Sequence, residues 1–293
     1  MKGIKEIRQR IRVVDGTAKI TKAMQLVAAS KMKKAQMLAI GSRGYILGLA
    51  NIIGCMSFAC IKKLKSSRFF SARSTGVRCV IVLASDKGLC GALNNNIFRE
   101  IAQIEGDAKF IAIGKKATNY LGRCGKNLIA SFSINDISEF HEVLGICELV
   151  TQLYDSGEIN SCDVLYAGFK NTLSHVSIFR KILPMIDFYD EFKKIADFLG
   201  IDSERLKRDD REIIFEPSPS SILDSIVRTF IKYGMYQSIL EAKASEHSAR
   251  TVAMKSATDN ANELSKNLKL EYNKSRQFAI TNEIIELAAA NCN

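Results

Sequence analysis

The stretch Ser85-Asp86-Lys87-Gly88-Leu89-Cys90-Gly91 follows a β-branched run and precedes a helical pattern, where dinucleotide folds place their phosphate-binding glycines. Gly88 and Gly91 fall three apart, so the Gly-x-Gly-x-x-Gly spacing is missing. A second stretch, Gly114-Lys115-Lys116-Ala117-Thr118, partly matches a phosphate loop, but Lys109 stands where the leading glycine belongs. Both stretches therefore read as tight turns or packing positions ahead of nucleotide sites. No Ser-His-Asp, Cys-His or paired-carboxylate constellation accompanies them. The three histidines, His141, His175 and His247, are far apart and read as structural. The eight cysteines (Cys55, Cys60, Cys79, Cys90, Cys124, Cys147, Cys162 and Cys292) include no Cys-x-x-Cys pair. With no signal peptide ahead of them, they read as reduced cytosolic thiols. The expectation is a chain with no catalytic residues, no cofactor and no metal.

The elements around these stretches fall into two kinds. Val77 to Ala84 is a continuous apolar, β-branched run, the mark of a strand buried on both faces. Lys109 to Ile113, Leu128 to Phe132, Asp163 to Phe169 and His175 to Leu183 read as further strands, and Glu212 to Glu216 as the last. Helical patterns near Asn95–Glu105, Lys115–Arg123 and Glu139–Tyr154 alternate with them. That alternation predicts a parallel open sheet with helices on both faces.

The flanks have a different period. After Pro219 the chain has no proline and one glycine, Gly234. Met254, Ala257, Ala261, Leu264 and Leu268 step by three and four, which is a coiled-coil seam. One helix from Pro219 to Ala290 would be roughly 105 Å long. No domain of this size buries such a helix alone. At the other end Ile4, Ile7, Ile11, Val14 and Ala18 step in the same way. Gly16 then interrupts, and Ile20, Met24 and Val27 resume with a shifted phase. Ile46 to Ile61 is apolar but short for a bilayer, and it reads as a continuation of this helix. The predicted segments are a helix over 1–62, an α/β domain over 77–216 and a helix over 219–293, with the serine-rich stretch Lys62 to Arg78 as linker. The last turns, with Ile284, Ile285 and Leu287, are too apolar for a solvated helix end and predict a sleeve of partner protein.

The net charge of +11 asks for an acidic partner. Ten Lys or Arg residues against two acids lie between Met1 and Lys34. A solvated basic helix face and a surface facing acidic protein both fit this.

Three separated motifs carry a resemblance that spans essentially the whole chain. They are Lys19-Ile20-Thr21-Lys22-Ala23-Met24 with Val27-Ala28-Ala29-Ser30-Lys31-Met32; Ser85 to Asn94; and the C-terminal group Ala249-Arg250, Ala253-Met254, Ala257-Thr258-Asp259-Asn260, Tyr272 to Gln277 and Ile280-Thr281-Asn282-Glu283. Together they resemble the gamma subunit of F-type ATP synthase. Departures are Gly16, where the family commonly has Asn, and a tail that stops at Asn293. The stretch Phe188 to Arg211 has no cysteine pair, so the redox switch of chloroplast relatives is not implied.

The resemblance implies an antiparallel coiled coil of the terminal helices, with a Rossmann-like domain inserted between them. It implies a non-catalytic rotor shaft that couples proton flow through a membrane ring to conformational cycling of catalytic subunits. Its implied partners are the hexamer of catalytic and non-catalytic subunits, the epsilon subunit and the c-ring, with no nucleic acid. The implied location is peripheral, on the cytoplasmic face of a bacterial inner membrane. The implied rotor–stator contacts are Arg276, Gln277 and Thr281, with Met24 opposite them and Arg250 lower on the same helix. Met24 fits a plain coiled-coil core position equally well. Two other classes stay open on the residues alone. One is a basic coiled-coil nucleic-acid-binding protein, supported by the charge. The other is a nucleotide-binding α/β enzyme, supported by the turn at Gly88 and Gly91.

Overall fold

The structure, a computed structural model, describes residues 3–59, 69–70, 73, 75–136, 138–169, 171, 175–185, 216 and 218–290. The elements in chain order are α1 (Ile4–Ala59), β1 (Val77–Leu83), α2 (Leu93–Ala102), β2 (Ala108–Ile113), α3 (Lys115–Arg123), β3 (Asn127–Phe132), α4 (His141–Asp155), β4 (Ile159–Phe169), β5 (His175–Leu183) and α5 (Pro219–Ala290). The strand expected at Glu212 to Glu216 lies, except for Glu216, outside the described residues, as do most of the linker and the tail from Asn291. The apolar stretch from Ile46 continues α1 as far as Ala59. Among the described residues no helix is long and apolar enough to cross a membrane.

The chain divides into two compact units, Ser30–Ala249 and the pair of segments Met1–Ala29 and Arg250–Asn293. Each long helix contributes to both.

The larger unit is built on one sheet of order β3-β2-β1-β4-β5. The pairs β1–β2, β2–β3 and β1–β4 are parallel. The edge strand β5 runs antiparallel to β4, so the sheet is mixed rather than wholly parallel. Period-2 alternation explains why β1 reads as an unbroken apolar run. Cys79, Ile81 and Leu83 point to one face and Val80 and Val82 to the other, and all five are buried. The first face packs on α4 through Val143, Ile146, Val150 and Tyr154, and on α5 through Val227, Ile231, Met235 and Ile239. The second packs on α2 through Leu93, Ile97 and Ile101, and on α3 through Ala117 and Leu121. The chain thus changes face between α3 and α4. That change puts the topological switch point beyond the C-terminal ends of β1 and β4.

In the smaller unit, α1 and α5 run antiparallel. The Thr258 hydroxyl lies 2.8 Å from that of Thr21. One turn or two further along, the Ser265 hydroxyl donates to Asp15 at 2.5 Å, and the Lys269 ammonium is 3.4 Å from the same carboxylate. The seam keeps most of the expected positions, Ile7 to Ala18 on α1 and Met254 and Leu268 on α5, and differs from the expected one at Ile20, Val27 and Leu264. On α1 no phase shift occurs at Gly16. Ile7, Ala18 and Ala28 are buried with Ile11, Val14 and Thr21 half-buried between them, whereas Ile20 is 63% exposed and Val27 56%. On α5 the buried positions are Met254, Thr258, Ser265 and Leu268, while Leu264 is 43% exposed. The reason is close approach. Small residues let two backbones come together, and the larger aliphatics one position away point outward.

Candidate functional site

The switch-point crevice is where open α/β sheets receive ligands. Here it is occupied by the chain itself. The turn after β1 is closed by its own side chains. Asn94 accepts from the Ser85 backbone N–H at 3.2 Å and donates to the Ser85 hydroxyl oxygen at 2.7 Å, and that hydroxyl donates to the Lys87 carbonyl at 2.7 Å. The N-terminus of α3, the partial phosphate-loop match, has its amides already satisfied. Asp86 accepts from the Lys115 N–H at 3.0 Å. The carbonyl of Ser85 takes the Lys116 N–H, and that of Gly114 takes those of Ala117 and Thr118. An internal carboxylate thus stands where an anion would bind. Gly114 is obligatory, since it has φ +98° and a Cβ there would lie 2.1 Å from the Ala84 carbonyl oxygen. Both glycine stretches serve turns and packing.

Helix α5 fills the remaining space. Ile239, Ala242, Lys243 and Glu246 line the crevice together with Leu83, Ser85 and Gly114, leaving about 20 Å³. That is room for about one water, far below the roughly 300 Å³ of a small-ligand pocket. The crevice is a helix seat.

Buried polar contacts hold α5 in this seat, and sequence reasoning missed them. Tyr166 on β4 donates to the Glu241 carboxylate at 2.8 Å. The Gln237 amide donates to Glu241 at 3.0 Å and to the Ala39 carbonyl of α1 at 3.4 Å, and it accepts from Ser42. Arg180 on β5 donates to the Gly234 carbonyl at 3.1 Å and to the Ser238 hydroxyl at 2.8 Å. Burial, then the Glu241 charge, pushes the Tyr166 phenol well up, so it stays a donor. Asp136, after β3, pairs with Lys31 of α1 and lies 4.0 Å from Lys243 of α5. Burial pushes its carboxyl up, but the two ammonium groups outweigh that and hold it below the usual carboxylate range. The available signal was Glu241, Lys243 and Glu246 spread around a helix that the apolar count requires to be buried.

The residues expected as contacts are not gathered in one place. Met24 is half-buried in the seam, and Arg250 is half-buried where α5 enters the smaller unit. Arg276, Gln277 and Thr281 are exposed, with the Thr281 hydroxyl donating to the Gln277 carbonyl at 2.9 Å. The Thr21–Thr258 and Asp15–Ser265 contacts set Met24 level with about residue 255, some 30 Å along α5 from Arg276 at 1.5 Å per residue. Met24 and Arg276 are therefore not opposite one another. By the same register α1 begins level with about residue 276, so the last four turns or so of α5 have no α1 beside them. That end exposes Phe278, Ile280, Ile284, Ile285 and Leu287, the last at 67%. Among the described residues no cluster of His, Cys, Asp or Glu is arranged to hold a metal.

A doubly wound sheet whose ligand crevice seats its own helix, together with a helix pair ending in an exposed apolar tip, defines a scaffolding subunit made for assembly. Comparisons with known proteins agree. The family model described as ATP synthase matches residues 3–291. The ATP synthase gamma chain of Opitutus terrae is 38% identical over 292 residues, 99% of this chain and 98% of the relative. That of Methylacidiphilum infernorum is 39% identical over 296 residues, 98% of this chain and 97% of the relative. Among solved structures, the central stalk and c-ring of the Tetrahymena thermophila mitochondrial ATP synthase matches with TM-score 0.58 at 24% identity, over 81% of this chain and 99% of that one. A Euglena gracilis mitochondrial ATP synthase chain matches with TM-score 0.65 at 16% identity, over 98% and 93%. The chain belongs to the ATP synthase gamma chain family. It is a non-catalytic subunit, and the relatives give no support to a nucleic-acid-binding reading.

Proposed function

We propose that this chain is the central rotor shaft of an F-type ATP synthase, coupling proton flow through the membrane ring to conformational cycling of the catalytic subunits. The observation that carries the reading is the unaccompanied end of α5, where Phe278, Ile284, Ile285 and Leu287 face outward. A solvated helix end has no use for such a surface; a bearing of partner protein does. The partners are the hexamer of catalytic and non-catalytic subunits around that end, with the epsilon subunit and the c-ring at the sheet-bearing part. The chain sits on the cytoplasmic face of a bacterial inner membrane, held there by these partners. The helices at 1–62 and 219–293 form the shaft, and 77–216 is the inserted domain.

The mechanism follows from asymmetry. A helix pair whose faces differ presents a different surface to each catalytic site, and each site settles in the conformation that surface binds best. Turning the shaft moves these differential contacts from site to site, which is a coupling free energy delivered by rotation. Arg276, Gln277 and Thr281 on the exposed end, Arg250, and Met24 in the seam are the contacts that read the angle.

Copurification of the tagged chain tests the reading. Recovery of the hexamer subunits together with ATP hydrolysis is expected, and the chain stripped of them should hydrolyse none. Turnover by the purified chain alone, or its failure to bring down the hexamer, overturns the proposal.

A further inference from the structure

Three buried polar attachments meet α5 within two turns, and they come from three different elements. Arg180 of β5 holds Gly234 and Ser238. Tyr166 of β4 holds Glu241. Ser42 of α1 holds Gln237, which in turn holds Glu241. Gln237, Ser238 and Glu241 are each at most 4% exposed. On the same stretch of helix, Ile231, Met235 and Ile239 make an ordinary apolar contact with the sheet.

Apolar contact alone is enough to bury a helix, and it is non-directional. Buried polar groups cost desolvation, and what they add is direction and register. At about 100° per residue, Gly234, Gln237, Ser238 and Glu241 fall within one arc of about 100°, and from that one face their bonds run to three separate elements. A helix whose inner face is tied by directional bonds to three separate elements cannot turn about its own axis without breaking them. Water does not reach the broken groups, so each break leaves a buried donor or acceptor unsatisfied.

We propose that the polar cluster centred on Glu241 is a rotational lock that fixes α5 against the sheet, so that torque on the helix passes into the sheet unit without slip. The lock rests on the rotor reading, because only a shaft under torque needs it. It consists of positioning residues, which act by holding α5 in register.

The test is a reconstituted synthase in vesicles, with ATP hydrolysis and ion pumping measured together against a rising opposing gradient. Tyr166→Phe with Glu241→Leu removes both partners of the central bond and leaves apolar groups. Its melting temperature should therefore stay within about 3 °C of the unmutated complex. Ions pumped per ATP should fall at least about twofold under load, and Glu241→Gln, which keeps the shape but with one carbonyl oxygen accepts only one of the two bonds, should give a ratio between the two. A pumping ratio equal to that of the unmutated complex at every gradient overturns the lock. If the double variant does not assemble, Tyr166→Phe alone decides by the same ratio, since it deletes one hydroxyl. The unmutated complex separates the two claims: if it hydrolyses without pumping, or does neither, the rotor reading falls and takes the lock with it. If it pumps and the variants pump equally well, the lock alone falls.

Discussion

Arg276 sits on the exposed end of α5, at about the level where α1 begins. A guanidinium forms charge-assisted, often bidentate, bonds to carboxylates, of about 1.5–3 kcal/mol where water is partly excluded. Arg276→Glu should leave the helix intact, since both residues are good helix formers. In the contact role proposed above, it should set like charges against carboxylates of the surrounding subunits. Assembly is expected with pumping per ATP reduced, and a complex matching the unmutated one in assembly, turnover and pumping would remove Arg276 from the contacts. Asp136 makes a different prediction. Its carboxyl is held below the usual range by Lys31 and Lys243 against the opposing effect of burial. A depressed carboxyl contributes stability above its unfolded pKa and loses it as pH falls through the folded one. Asp136→Asn should therefore lower the melting temperature near neutral pH, and the gap should narrow as pH drops below about 4. A gap independent of pH would show that the ion pairs contribute nothing. The pair with Lys31 is more than a third exposed, so the neutral-pH gap should be small.

At the scale of elements, the helix pair is held by contacts that a hydrophobicity count passes over. Cysteines at Thr21 and Thr258 should form a disulfide on mild oxidation, because their hydroxyls already lie 2.8 Å apart. Cysteines at Ile20 and Thr258 should not, since Ile20 points outward. Peptide mapping distinguishes the new bridge from the native thiols, and the reverse result would restore the phase-shifted seam. The existence of both long helices was legible from their three-four spacing, and that of α5 also from its lack of breakers. The inward side was legible from Ile7 to Ala18 and at Met254 and Leu268, and was missed at Ile20, Val27 and Leu264. Ile20, Val27 and Leu264 drew the seam one position aside at those points, whereas past the expected Ala18 it runs through Thr21 and Ala28, and on α5 it takes in Thr258 and Ser265. Both helices carry two useful faces, a small-residue face for each other and an aliphatic face left open, and composition does not say which is which. The sheet was easier. Each strand of the parallel core is a short apolar run bounded by turns, and one face change fixes the order. Glu241, Lys243 and Arg180 were invisible as a group because the partners that tie them to other elements lie 54 residues away or more.

Over the whole molecule the balance of surface follows from what the chain does not bury for itself. The end of α5 from about residue 276 is a single helix of roughly four turns. Isolated helices of that length are marginal in water. In the free chain, amides from Phe278 to Leu287 should exchange with deuterium within seconds, and in the assembled synthase the same amides should be strongly protected. Equal exchange in both states would mean that no sleeve surrounds this end. The buried core around β1 should stay protected in either state, which provides the internal reference. The charge of +11 belongs at this scale too. It sets a long-range attraction to acidic partners and speeds their encounter, so assembly should slow as salt is raised.

The seating of α5 in the switch-point crevice has a consequence for signalling. Proteins built on this sheet commonly sense metabolites there, and a ligand reports its own concentration by occupying the gap. In this chain about 20 Å³ remains, and any nucleotide would have to evict the helix that transmits the work. The sheet cannot consult the cell's ATP level at that place. At that place energy status can reach the chain as force and angle through α5, not as a small molecule bound beside Ser85 and Gly114.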